Sequence, residues 1–86
     1  MTKKERLIQC ITNAIKYNME LIAVVVKLPT GDEELIINKR GAFMDKLNYY
    51  DVAYDDDLKL KDCSDIEIVS FTSANSLFAI EGDLYE

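Results

Sequence analysis

The sequence predicts a single small α+β domain spanning residues 1–86, and three observations carry that reading. Apolar residues recur at three- and four-residue steps in two separate segments, the spacing of amphipathic helices. Two aliphatic segments flank Pro29-Thr30-Gly31-Asp32, a stretch with turn chemistry, which makes a hairpin. Hydrophobic residues are 49% and charged residues 30% of the chain, with three Gly and one Pro, a globular balance that disordered chains lack. The predicted order is α-β-β-α-β-β-α. A mostly antiparallel sheet of three or four strands, with helices mainly on one face, buries every apolar stripe in that order. A chain of this length buries roughly 60–65% of its unfolded surface, enough for one core.

The first helix is expected over 4–18. Leu7, Ile8, Ile11, Ala14 and Ile15 form its apolar stripe. Thr2 with Glu5 fits a capping box, Lys16 suits the negative end of the helix dipole, and Asn18 is a stop. Leu21 to Leu28 is almost wholly aliphatic and rich in β-branched residues, so it reads as a central strand. Pro29 fixes φ early in the next turn and Gly31 supplies a positive φ. Glu33 to Asn38 returns as the second strand. Lys39-Arg40-Gly41 breaks the pattern.

A second helix is expected over 42–54, with Phe43, Leu47, Tyr50 and Tyr54 on one face. Three acids oppose a helix C-terminal dipole, so Asp55, Asp56 and Asp57 belong in the loop beyond it. Leu58 to Lys61 alternates as a short half-exposed strand. Asp62 to Asp65 reads as a turn, and Ile66 to Thr72 as a strand. A last short helix is expected after a cap at 73–75, with Leu77, Ile80 and Leu84 on one face; Gly82 weakens it by about 1 kcal/mol against Ala.

Charge is distributed unevenly. Residues 1–48 carry eight Lys/Arg and six Asp/Glu, a net of +2, whereas residues 49–86 carry two Lys/Arg and ten Asp/Glu, a net of −8, together the chain's −6. A one-sided field of that kind steers association with a positive partner. It also keeps a small protein soluble.

The chemistry that is missing points away from catalysis. The sequence contains no histidine, which removes the usual general base and the commonest metal ligand. Gly31, Gly41 and Gly82 are isolated from one another, so there is no phosphate-cradling loop. Cys10 and Cys63 are the only cysteines and do not form a zinc pattern. Cys10 lies on the first helix, where it reads as packed or half-packed. The acids beside Cys63 disfavour its thiolate, so both read as structural or incidental thiols. No metal or other cofactor is expected: Asp51, Asp55, Asp56 and Asp57 lack the alternation and glycine of a calcium loop.

Those four acids serve either a solvated loop or a contact with a partner, and Asp62 and Asp65 extend their negative side. Tyr50 and Tyr54 read as core. Tyr49 lies off that stripe and is an expected exposed anchor, since Tyr is enriched at binding hot spots. Lys39 and Arg40 fall far short of a nucleic-acid footprint, and the net charge opposes one. No apolar run approaches the ~20 residues of a membrane span. The basic start leads into an amphipathic helix and not an apolar signal segment, so a cytoplasmic location is expected.

Ile36-Ile37-Asn38, Phe43, Lys46-Leu47, Tyr49-Tyr50, Ala53-Tyr54 and Leu58-x-Leu60-Lys61, with Ile66 and Ile68, resemble a group of small proteins of unassigned function encoded by phages and prophages of Gram-positive bacteria. The resemblance covers about half the chain. The group's pattern has a proline after the asparagine, where this chain has Lys39. The resemblance implies a mobile-element, cytoplasmic setting and an action on host machinery; it implies no activity and no site.

The expected function is therefore a non-enzymatic interaction module. It would bind the basic surface of a host protein through Tyr49, Asp51, Asp55, Asp56, Asp57, Asp62 and Asp65. The alternative is a structural homo-oligomer, or an accessory subunit, pairing through a sheet edge. A metal-dependent hydrolase using the Asp cluster is the third reading, disfavoured by too few ligands at usable spacing.

Overall fold

A computed structural model describes residues 1–84, with side chains through Ile80. The chain runs α1 (Lys3–Lys16), β1 (Leu21–Lys27), β2 (Glu33–Lys39), a 3-10 turn (Arg40–Ala42), α2 (Phe43–Ala53), β3 (Lys59–Leu60), β4 (Cys63–Ala74) and α3 (Leu77–Leu84). The expected order is present. The four strands form one sheet in the order β2-β1-β4-β3, and every ladder is antiparallel. The aliphatic β1 is central, as its composition requires, because both of its edges and both of its faces must be covered.

Side chains alternate across a strand, and β1 therefore feeds two cores. Ile22, Val24 and Val26 pack with Leu7, Ile11 and Ala14 of α1, with Phe43 and Tyr50 of α2, and with Tyr54, Leu58 and Ile68. Ala23 packs on the opposite face with Ala74 and Ile80 of α3. Two helices thus share one face while the short α3 takes the other.

Local chemistry sets the ends of the elements. The Thr2 hydroxyl accepts from the Glu5 N–H at 3.1 Å, and the Glu5 carboxylate accepts from the Thr2 N–H at 3.0 Å. These bonds hold the Glu5 carboxyl below its usual range. Asn18 stands at φ 53°, the left-handed conformation that ends a helix and that Asn tolerates. Gly31 takes φ 92° in the β1–β2 turn, as expected of the turn's glycine.

Boundaries differ from expectation around β3 and at α3, and of the residues expected in the third strand Leu58 and Lys61 stand outside it. Leu60 pairs with Cys63, so Lys61-Asp62 alone makes the turn. β4 consequently starts at Cys63, and Asp65 lies in a strand. A two-residue hairpin is the tightest connection between antiparallel strands, and it draws the next residues into the ladder. The cap of α3 is Ser76, whose hydroxyl accepts from the Ala79 N–H at 3.2 Å, and not residues 73–75. Leu77 is exposed, and among the described side chains of this helix Ile80 is the one that is buried against the sheet. Gly82 and Leu84, expected to weaken α3 and to complete its stripe, lie outside the described side chains.

Candidate functional site

The acids fall into three places. The first is the end of α2 and the turn beyond it. Asp51 is in the last turn of α2, and the Lys4 ammonium of α1 reaches across to it. That ammonium donates to the carbonyls of Asp51 at 3.0 Å and Tyr54 at 3.2 Å. It stands 3.8 Å from the Asp51 carboxylate and 4.0 Å from that of Asp56. A cation at a helix C-terminus satisfies unpaired carbonyls and complements the dipole. α1 also brings Lys3 within 4.0 Å of Glu67. The two charge halves of the sequence therefore interleave in space.

Asp55 is committed to its own turn. Its Oδ1 accepts from the N–H of Asp57 and from that of Lys59, both at 2.9 Å. The Leu58 N–H donates to the Asp55 carbonyl at 2.9 Å. These bonds hold Leu58 at φ 62°, a conformation that costs a non-glycine residue about 1–2 kcal/mol. Burial of the Leu58 side chain, 1% exposed, offsets that cost. Asp56 and Asp57 project from this turn and are exposed.

The second place is the outer face of α2. Asp45, Asn48, Tyr49 and Val52 follow the i, i+3, i+4, i+7 spacing of one helix face. Together with Lys61 and Asp62 of the β3–β4 turn they line an open groove of about 620 Å³. The Lys61 N–H donates to the Ala53 carbonyl at 2.9 Å and fixes that turn against the helix end. Val52 is 70% exposed and Tyr49 47%. The Tyr49 ring is nonetheless held. It lies 5.5 Å from the ring of Tyr50 and 6.1 Å from that of Tyr54, and Lys46 sits 5.3 Å from its centre. A tyrosine fixed before binding loses little rotamer freedom on contact.

Tyr50 and Tyr54 are the buried supports, their rings 5.8 Å apart. Burial, with Tyr54 and Tyr49 as neighbours, pushes the Tyr50 hydroxyl up to about 12. Burial also raises Tyr54, with Tyr49 adding to the effect.

The third place is Asp65. It lies apart, in a groove with Lys27, Lys59 and the β1–β2 turn. The structure thus joins Tyr49 to Asp62, gathers Asp51, Asp55, Asp56 and Asp57 around the end of α2, and separates Asp65 from both groups. Asp45, Asn48, Val52 and Lys61 were missed in the sequence. The signal for the first three was the face of α2 opposite the Phe43–Tyr50 stripe, whereas Lys61 joins them only through the β3–β4 turn.

Both cysteines are free and half-buried. Burial raises the Cys10 thiol, against a smaller lowering by Ser73. Among the described residues no group of three or more Asp, Glu or Cys could hold a metal ion, and no helix is long and apolar enough to cross a membrane. Comparison with protein-family models, with curated proteins and with solved structures returns no match for this chain.

Proposed function

We propose that this chain is a non-enzymatic protein-interaction module that docks a basic, partly apolar segment of another protein on the outer face of α2. The observation that carries the reading is the half-exposed Tyr49, braced by Tyr50 and Tyr54 beside the exposed Val52. A rigid aromatic anchor next to an aliphatic contact is the composition of binding hot spots. Asp45 and Asp62 flank these two residues in the groove, and Asp51 follows in the last turn of the same helix. Acids around an apolar centre suit a partner with Lys or Arg around an apolar contact, and rim charges of this kind set association rate and specificity. The resemblance to phage and prophage proteins makes a cytoplasmic bacterial host protein the proposed target. The lack of histidine in the sequence supports a binding role over a catalytic one.

The test is quantitative affinity capture from a Gram-positive bacterial lysate at physiological salt. The parent chain would run beside one carrying Tyr49→Ala and Val52→Lys. The expected result is a basic protein held by the parent, lost by the variant and weakened at high salt. Equal recovery by parent and variant would remove α2 as the docking face.

A further inference from the structure

We infer that two copies of this chain associate through their β2 strands, edge to edge and antiparallel, into one continuous eight-stranded sheet. β2 is the outermost strand on its side of the sheet. It spans seven residues, Glu33-Glu34-Leu35-Ile36-Ile37-Asn38-Lys39, and pairs with β1 over its whole length without a register shift. Natural edges are guarded by proline, by a bulge, by a charge at the centre or by shortness. β2 has no proline and no bulge and is not short; its charges stand only toward its ends, and its centre is three consecutive aliphatic residues. The opposite edge differs: the two-residue β3 covers part of β4, and β4 is bulged opposite Val25 and Val26.

The occupant follows from the charge pattern of the strand. With Ile36 on a two-fold axis, Glu33 of each copy stands opposite Lys39 of the other, and Leu35 stands opposite Ile37. Each interaction occurs twice, as an isologous interface requires. The backbone agrees with this register. The Arg40 N–H donates to the Glu20 carbonyl, and the Leu28 N–H to the Asp32 carbonyl. In an antiparallel ladder these bonds fix the alternation. The even-numbered residues of β2 therefore turn their amides toward β1, and Glu33, Leu35, Ile37 and Lys39 turn theirs outward. The two-fold register matches outward residue to outward residue at all four positions, giving about eight inter-strand hydrogen bonds. Within each chain Glu33 also faces Lys27 across β1, so pairing would extend a Lys27–Glu33–Lys39 row of alternating charge. Ile37, 37% exposed, and the partly buried Leu35 lie on the same face of the sheet and gain apolar neighbours across the axis.

The test is sedimentation equilibrium from micromolar to millimolar concentration, joined to amide hydrogen exchange at both extremes. The parent should dimerise. The amides of Leu35 and Ile37 should be protected only at high concentration, while that of Ile36 is protected at both. Lys39→Glu sets carboxylates opposite each other at two places and should weaken association at least about tenfold. Combining it with Glu33→Lys should restore association to within about threefold of the parent. Glu33 and Lys39 are both exposed, so neither change threatens the fold. A strict monomer at millimolar concentration would overturn the inference. So would a dimer whose Leu35 and Ile37 amides stay unprotected, or one that ignores Lys39→Glu.

Discussion

Tyr49 and Asp55 stand six residues apart and both marked themselves in the sequence as candidate contact residues, yet the fold gives them opposite duties. Asp55 turns inward on its own backbone, where its carboxylate organises the loop that seats Leu58. Tyr49 turns outward from a helix whose inner face carries the core. The lesson is that a run of like residues is not a unit of function. Within Asp55-Asp56-Asp57 one carboxylate builds the turn, one faces Lys4, and the third is exposed on a residue that gives the turn only its backbone N–H. A binding test that neutralises all three together would confound a weakened fold with a lost contact.

The sharpest way to separate the two regions is to change neighbouring tyrosines. Tyr50→Ala removes a side chain that is 2% exposed and should destabilise the protein by about 3–5 kcal/mol in urea denaturation. Tyr49→Ala should change stability by about 1 kcal/mol or less, the worth of its ring contacts, while abolishing capture of the partner. A large stability loss at Tyr49 would merge its role with that of the core.

Alkaline titration probes the same support without mutation. An unfolded tyrosine ionises near 10, whereas burial holds Tyr50 neutral up to about 12. Its pKa is raised on folding, so the associated stability is complete below pH 10 and is lost as pH rises toward 12. Loss of about 2 kcal/mol across that window is expected from thermal melts. Tyr50→Phe should flatten it, leaving the smaller contribution of Tyr54, whose shift has the same direction.

The acidic turn is tested one residue at a time. Asp55→Ala removes two backbone-anchoring acceptor bonds and should cost about 1–2 kcal/mol, in the range of a lost helix cap. Asp57→Ala should lie within about 0.5 kcal/mol of the parent, as an exposed position does. Equal effects on denaturation midpoints would erase the distinction drawn between them.

Much of this fold was legible in the sequence because it rests on periodicity and capping. The Leu7, Ile11 and Ala14 core of the α1 stripe, the Thr2–Glu5 box, the central β1 and the hairpin at Gly31 are all local signals, whereas Ile15, expected on that stripe, is exposed. What was not legible depended on contacts distant in sequence. Nothing in residues 51–57 announces that Lys4 will meet them, and nothing near Asp65 says that a two-residue turn will draw it into β4. The placement of α3 on the second face was equally hidden, because a short apolar helix fits either side of a sheet. At the candidate site Tyr49 was found by falling off the core stripe. Val52 was missed because it lies off the core stripe and became meaningful only once Lys61 and Asp62 were placed beside it.

The most direct measurement of the proposed docking face is site-specific photo-crosslinking in a Gram-positive bacterial lysate. A photoreactive group would stand in place of Val52 in one preparation and in place of Asp57 in another. The account predicts one discrete adduct with a basic protein from position 52, competed away by excess unmodified chain, and none from position 57. The same adducts from both positions, or an adduct from position 57 alone, would contradict it.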